Sequence, residues 1–395
     1  MMRAIGVLGV LWGQIVLIGA GPAFSQTIEF TTLPEGFRAG SIGLPAAFTG
    51  ALGADPTDDR IVYASVGTFG EVQIARIDLE TENVTVVAEG PFGSVAGIAP
   101  LSATQIAIVD NGGNPAGPPD RTILLASDLN QDGDFNDAGE VGELIAPILV
   151  DGPFGFSGAQ ARLVPPGNPS GIPSGSVVYQ TADDNGNAEL LVIEDPLGTP
   201  AYRPDGGAYF SGFDFNGGFD FDSQGRLMMG TATIVDATFF DFDGQVIALV
   251  NTNGDEDIDP GEFNILVETT NLPDSITDLS IDREDDVYCA SGQGIDFFRV
   301  PNDPLNGTAA PSSFALTDAG FLSAVSVSSK NRPFEPFSGA NGAALLTGGF
   351  TGGFEAGTNL LTLTPDVTAD LNGDEVIDSL DLYLFMEQWQ RVTEP

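Results

Sequence analysis

Oxygen-bearing side chains recur at alternate positions in three short stretches of this chain. In SDLNQDGDFNDAGE, Asp128, Asn130, Asp132, Asp134 and Asn136 stand two apart, Gly133 takes the sixth place and Glu140 the thirteenth. NTNGDEDIDPGE repeats the scheme with Asn251, Asn253, Asp255, Asp257 and Asp259, closed by Glu262 at the twelfth place. In DLNGDEVIDSLD, Asp370, Asn372, Asp374, Asp378 and Asp381 hold places one, three, five, nine and twelve, with the main-chain carbonyl of Val376 at seven. A hard divalent cation takes roughly six to eight oxygens at about 2.4 Å, and a carboxylate near place twelve completes such a set. Without a cation the carboxylates of one turn repel each other, whereas bound calcium converts that repulsion into a contribution to folding. An Asp/Asn/Gly hairpin turn needs fewer oxygens than these stretches supply. All three read as calcium loops, with calcium the implied cofactor.

The first two loops follow similar apolar runs, TILLAS and VIALVN, and precede GELIA and FNILVE. Strands therefore flank them, which makes them EF-hand-like loops in a β setting, each joining the last two strands of a repeating unit. The third precedes the one segment with helical periodicity, where Leu382, Phe385, Met386 and Trp389 form a single apolar stripe. This stretch resembles a single repeat of the dockerin family, in which a calcium loop of the form D-x-N-x-D-G-x-[VI]-D-x-x-D-L leads into a helix. The resemblance implies calcium binding. It departs from the family at Glu375, where glycine is usual, and in having one repeat where a cohesin-like partner is gripped by two.

Elsewhere the chain is rich in turn residues, with 51 glycines and 27 prolines between short apolar runs, a texture of many strands. The order strand, Asp-bearing turn, strand, loop, strand, turn, strand begins at Gly53 with GADPTDDRIVYASVGTFGEVQIARIDLETENVTVVAE. It returns in GIAPLSATQIAIVDNGG, in GFDFDSQGRLMMG and in LSIDREDDVYCASG, with weaker copies from Ala161 and from Val325. Six units of roughly 40 to 60 residues match the period of four-stranded blades. Their "apolar-x-apolar-D-x-x-G" turn resembles that of six-bladed β-propellers of the NHL type, which implies an all-β six-bladed propeller over residues 26–364, followed by the loop and helix of residues 365–395. TIEFTTLPEGF is expected to supply the strand that closes the ring with the last blade. A pair of β-sandwiches would show the same alternation and turns.

Residues 1–25 read as a secretory signal peptide: Arg3, an apolar run from Ala4 to about Ile18, then Ala23 and Ser25 before a cut at Gln26. The run is too short to span a membrane. One cysteine, Cys289, excludes an internal disulfide, and its apolar surroundings predict a buried strand position. Acidic residues number 56 against 13 basic ones, a formal net charge of −43, which repels nucleic acid and anionic membrane surfaces and attracts cations. Histidine is absent, which removes the commonest general base and transition-metal ligand.

No nucleophile elbow, phosphate-binding loop or His/Cys metal spacing occurs. Asp214, Asp220 and Asp222 in FDFNGGFDFDSQG fit an amphipathic strand and its turn better than a further metal or catalytic carboxylate site. The expectation is thus a secreted, calcium-stabilised propeller acting as a binding or scaffold module, with protein or polysaccharide at the cell surface as partner and the C-terminal helix as attachment point. The alternatives are a carboxylate-based polysaccharide hydrolase or lyase and a metal-dependent propeller lactonase with calcium in its central channel.

Overall fold

Within the blades, strands that follow one another in sequence pair antiparallel, the order that short connections favour. The computed structural model describes residues 26–34, 37–68, 70–112, 122–147, 160–166, 171–182, 187–203, 208–214, 216–236, 241–255, 257–268, 271–272, 276–282, 284–328, 344–351 and 356–365. Two strands, β1 (Phe30–Thr32) and β2 (Phe37–Gly43), precede the first blade, which is built from β3 (Phe48–Ala54), β4 (Ile61–Thr68), β5 (Glu71–Asp78) and β6 (Asn83–Phe92). Blade two comprises β7 (Val95–Ser102), β8 (Gln105–Asp110), β9 (Thr122–Ser127) and β10 (Val141–Ile145). Blade three contains β11 (Ala161–Leu163), β12 (Val177–Ala182) and β13 (Asn187–Glu194), whose outer edge carries β14 (Ala201–Arg203) and β15 (Phe210–Asp214).

Blade four is β16 (Asn216–Phe221), β17 (Leu227–Asp236), β18 (Asp241–Leu249) and β19 (Phe263–Val267). In blade five β20 (Ile276–Ile281), β21 (Asp286–Ser291), β22 (Gly294–Arg299) and β23 (Ser312–Thr317) are joined by β1 at the rim. Blade six is β24 (Phe321–Val327), β25 (Leu345–Phe350) and β26 (Asn359–Pro365), completed by β2. The chain is a six-bladed β-propeller. Among the described residues no helix is long and apolar enough to cross a membrane.

First strands line the axis, and second strands such as β8 and β21 are buried almost end to end because a neighbouring blade covers each face. Six apolar clusters fill the six blade junctions. Ile61, Ile74, Ile98 and Ile106 lie between blades one and two, for example, and Phe219, Leu227, Val192 and Leu190 between three and four. Cys289 is fully buried in β21, as its surroundings predict, and burial drives its thiol pKa up.

Near the axis the backbones approach closely. A Cβ on Gly97 would stand 2.6 Å from Ala161 N and 2.7 Å from Gln160 C, both main-chain atoms of the next blade. Gly97→Ala should therefore lower stability by about 1–3 kcal/mol through overpacking, measurable by urea unfolding against a neutral Gly142→Ala control at an open site.

The D-x-x-G turns join first to second strands. Asp222 Oδ1 accepts the N–H groups of Gln224 (3.0 Å) and Arg226 (2.8 Å), and Asp282 Oδ1 those of Glu284 (2.9 Å) and Asp286 (3.0 Å). Gly225 adopts φ 75° in one turn and Asp285 φ 64° at the equivalent place in the other, which explains the preference for glycine there.

Ring closure differs from the expected pairing. The segment TIEFTTLPEGF does not supply a strand to the last blade: β1, within it, pairs with β23 of blade five, and it is β2, starting at Phe37, that pairs with β26 along its whole length. Pro34 stands two residues beyond the end of β1 and lacks the N–H a continuous strand would need, so the run divides between two blades.

Candidate functional site

The first two acidic loops lie where the apolar runs place them, as the connections from β9 to β10 and from β18 to β19, the third and fourth strands of blades two and four. Both close on a buried glutamate. Glu140, 2 % exposed, accepts the N–H of Leu129 (2.9 Å) on Oε1 and of Asp137 (3.1 Å) on Oε2. Glu262, 5 % exposed, accepts Thr252 N–H (2.7 Å) and Asn253 N–H (2.9 Å) on Oε1 and Asp259 N–H (3.1 Å) on Oε2. Place four is left-handed in each, at Gln131 (φ 62°) and Gly254 (φ 76°), and so is the glycine before the glutamate, Gly139 (φ 94°) and Gly261 (φ 104°).

These equivalences correct the alignment of the first loop. Asn130 Nδ2 lies 2.9 Å from Asp132 Oδ2 and 2.6 Å from Asp137 Oδ2, while Asn253 Nδ2 lies 2.7 Å from Asp255 Oδ2 and 3.1 Å from Asp259 Oδ2. Asp137, not Asn136, is thus the counterpart of Asp259. Asn136 turns outward and accepts the N–H of Glu89 on the neighbouring blade (2.8 Å). Strict alternation pointed to Asn136, but the first loop carries one extra residue before Asp137. Counting back from the closing glutamate, which places Asp137 and Asp259 both at minus three, is the signal that would have found it.

Each loop also grips the preceding blade. Phe135 N–H donates to Val87 O in β6 (2.6 Å), and Ile258 N–H to Tyr209 O beside β15 (2.9 Å), both from place eight of their loops. Phe135 is buried in the cluster between blades one and two, and Ile258 packs against the one between three and four.

Electrostatically the second loop is under tension. Loss of hydration, then the carboxylates of Asp255 and Asp259, push the pKa of Asp257 up. Burial works in the same direction on Glu262, but hydrogen bonds from Thr252, Asp259 and Asn253 overcome it and hold that carboxyl below its ordinary value. In both loops an asparagine amide stands between two carboxylates, where a positive charge is best placed. Among the described residues no group of three or more His, Cys, Asp or Glu side chains is already gathered so that it could hold a metal ion. Loops of this composition would complete a calcium shell with asparagine and main-chain oxygens. Asp370, Asn372, Asp374, Val376, Asp378 and Asp381, like residues 1–25 and the C-terminal helix, lie outside the described residues.

A second polar cluster, on the axis, was missed. Asp220 in β16 and Asp278 in β20 are fully buried, and the Arg162 guanidinium of β11 lies between them, 3.8 Å from each (Nε to Asp220 Oδ1, Nη2 to Asp278 Oδ1). From sequence Asp220 reads as part of an amphipathic strand and its turn. What marks it in the sequence is only its place two residues before the turn aspartate Asp222, on a strand whose other face is apolar.

No family model matches the chain, and no curated protein matches it in sequence. Solved structures do resemble it. A PQQ-bound aldose sugar dehydrogenase from Streptomyces coelicolor superposes with a TM-score of 0.52 at 16 % identity, covering 84 % of this chain and 99 % of that one. The PQQ domain of a pyranose dehydrogenase from Coprinopsis cinerea gives 0.51 at 10 %, with 88 % and 99 % covered. A gluconolactonase from Xanthomonas campestris gives 0.49 at 12 %, with 87 % and 98 % covered. What is shared at such identities is the fold.

Proposed function

We propose that this chain is an exported calcium-binding β-propeller serving as a binding or scaffold module, with calcium held in the rim loops and the C-terminal dockerin-like loop and helix as attachment element. The observation that supports it is repetition. Two loops on alternate blades share the same buried glutamate, the same asparagine bridge, the same left-handed places and the same bond to the preceding blade. A turn that merely reversed the chain would need none of this. In each loop the proposed ligands are the oxygens of Asp128, Asn130, Asp132, Asp134, Asp137 and Glu140, and of Asn251, Asn253, Asp255, Asp257, Asp259 and Glu262.

A carboxylate-based hydrolase or lyase draws no support from the axis, where Asp220 and Asp278 are 0 % exposed and out of reach of a polymer. The same cluster does not fit a lactonase-type channel metal, because the space between its two carboxylates holds a guanidinium.

Calcium should raise the melting temperature of the chain from Gln26 onward. A ligand bound only to the native state adds RT ln(1 + [L]/Kd), about 2.7 kcal/mol per site at a hundredfold excess over Kd. Asp132→Ala combined with Asp255→Ala should abolish most of the rise while leaving the strand content intact. If millimolar calcium shifts melting no more than sodium chloride at equal ionic strength, the rim loops are not calcium sites.

A further inference from the structure

At the axis two buried carboxylates stand against one guanidinium, contributed by the first strands of blades three, four and five. The two acids are not equally served. Asp220 accepts Phe221 N–H (2.9 Å) on one oxygen and Ser280 Oγ–H (3.2 Å) and Ile281 N–H (2.9 Å) on the other. Asp278 accepts Val325 N–H (2.9 Å) on Oδ2, but its Oδ1 has no hydrogen-bond partner although the residue is wholly buried. Arg162 attracts both acids from 3.8 Å without bonding either, and donates instead to the carbonyls of Ala161 (3.2 Å) and Leu52 (3.5 Å).

Around Asp278 the surplus is of acceptors. The Gln160 side chain approaches its carboxyl, yet Gln160 Oε1 lacks a donor, and both amide atoms of the fully buried Gln180, Oε1 and Nε2, lack partners, while its main-chain N–H meets Gln160 O (3.0 Å). Ser280 Oγ, beside it on β20, is engaged with Asp220 and the Val327 amide (3.0 Å), and Cys289 on β21 adds only a neutral thiol. A buried acceptor left without a donor costs roughly 1–3 kcal/mol. Against three unpaired acceptors, Asp278 Oδ1 and the Oε1 atoms of Gln160 and Gln180, stands one unused donor, Gln180 Nε2, and one proton on Asp278 would cancel the surplus charge and add a second donor.

We propose that Asp278 is a buried protonation switch at the propeller axis, neutral and hydrogen-bonded to the glutamine amides in mildly acidic surroundings, ionised and loosening the inner strands in alkaline ones. Burial raises its pKa to about 7 from an ordinary 3.8, with Arg162 and the Val325 amide opposing. For a group raised in the folded state, the stability it contributes is complete below the ordinary value and is lost as pH rises through the folded one. Asp282, raised to about 6 chiefly by burial, and Asp222, also raised by burial, run in the same sense from the turns.

The test is thermal melting of the full chain from about pH 5 to about pH 9, in chelator so that the rim loops do not contribute. Wild type should lose several degrees across pH 6 to 8. Asp278→Asn, which mimics the neutral acid, should lose clearly less and melt above wild type at the alkaline end, while Asp282→Asn keeps the component near pH 7. Equal declines in wild type and Asp278→Asn would overturn the proposal. So would sodium, potassium or calcium restoring wild-type but not Asp278→Asn melting at alkaline pH, since the missing charge would then be a metal ion. Should the variant not fold, difference infrared spectra of wild type decide: a protonated-carboxyl band that bleaches near pH 7 supports the switch, and its absence refutes it.

Discussion

Arg162→Ala is expected to destabilise the propeller by about 3–5 kcal/mol at alkaline pH, the range seen when one partner of a buried charge cluster is removed. Arg162 is 8 % exposed and lies 3.8 Å from each of the two axial carboxylates. Without it the buried carboxylates of Asp220 and Asp278, on the neighbouring strands β16 and β20, would lose the guanidinium that lies between them. The loss should shrink as pH falls and Asp278 takes up its proton, leaving one negative charge instead of two. Adding Asp278→Asn to Arg162→Ala should recover part of the lost stability, measured as the midpoint of urea unfolding. Arg162→Met, which keeps the stem and drops the charge, separates packing from electrostatics. A cost under about 1 kcal/mol at any pH would mean that solvent in the channel already screens these acids.

The rim was more legible in the sequence than the axis, and the reason is physical. A blade announces itself locally: alternation, the Asx turns at Asp222 and Asp282, and hairpins closed by a few residues are all properties of neighbours in sequence. The two acidic loops are equally local, and they lie in the predicted hairpins, on alternate blades. Only the extra residue before Asp137 escaped, since its effect on the ladder of oxygens shows once Asn136 is found bonded to Glu89. The axial cluster joins Arg162, Asp220 and Asp278 from three blades, at separations no periodicity records. A single buried arginine or aspartate on an inner strand has the same sequence signature as an exposed one. Ring closure falls between these cases. The N-terminal segment was identifiable as strand material, but the choice between two blades turned on Pro34 and on which edge was vacant at each end.

That closure carries the second large effect. Asn359, at the start of β26 and 2 % exposed, accepts Ile28 N–H on Oδ1 (2.9 Å) and donates from Nδ2 to Ile28 O (3.0 Å) and Ser41 Oγ (2.8 Å). One side chain thereby pairs with the backbone of residue 28 as a strand would, and ties it to β2 as well. Ile28 itself is 1 % exposed in the cluster between blades five and six. Asn359→Ala leaves an N–H and a carbonyl of Ile28 buried and unpaired, which predicts a loss of about 2–4 kcal/mol in urea unfolding. Asn359→Asp retains the acceptor but forfeits both donors and adds a buried charge, so it should be worse than alanine at neutral pH and better in acid, where the carboxyl is neutral. Deleting the short edge pairing instead, by Thr32→Pro in β1, should cost far less, because both Thr31 and Thr32 are exposed and β1 adds only a rim strand. The reverse ranking would mean that the ring is held by the rim strand and that the asparagine merely fills space.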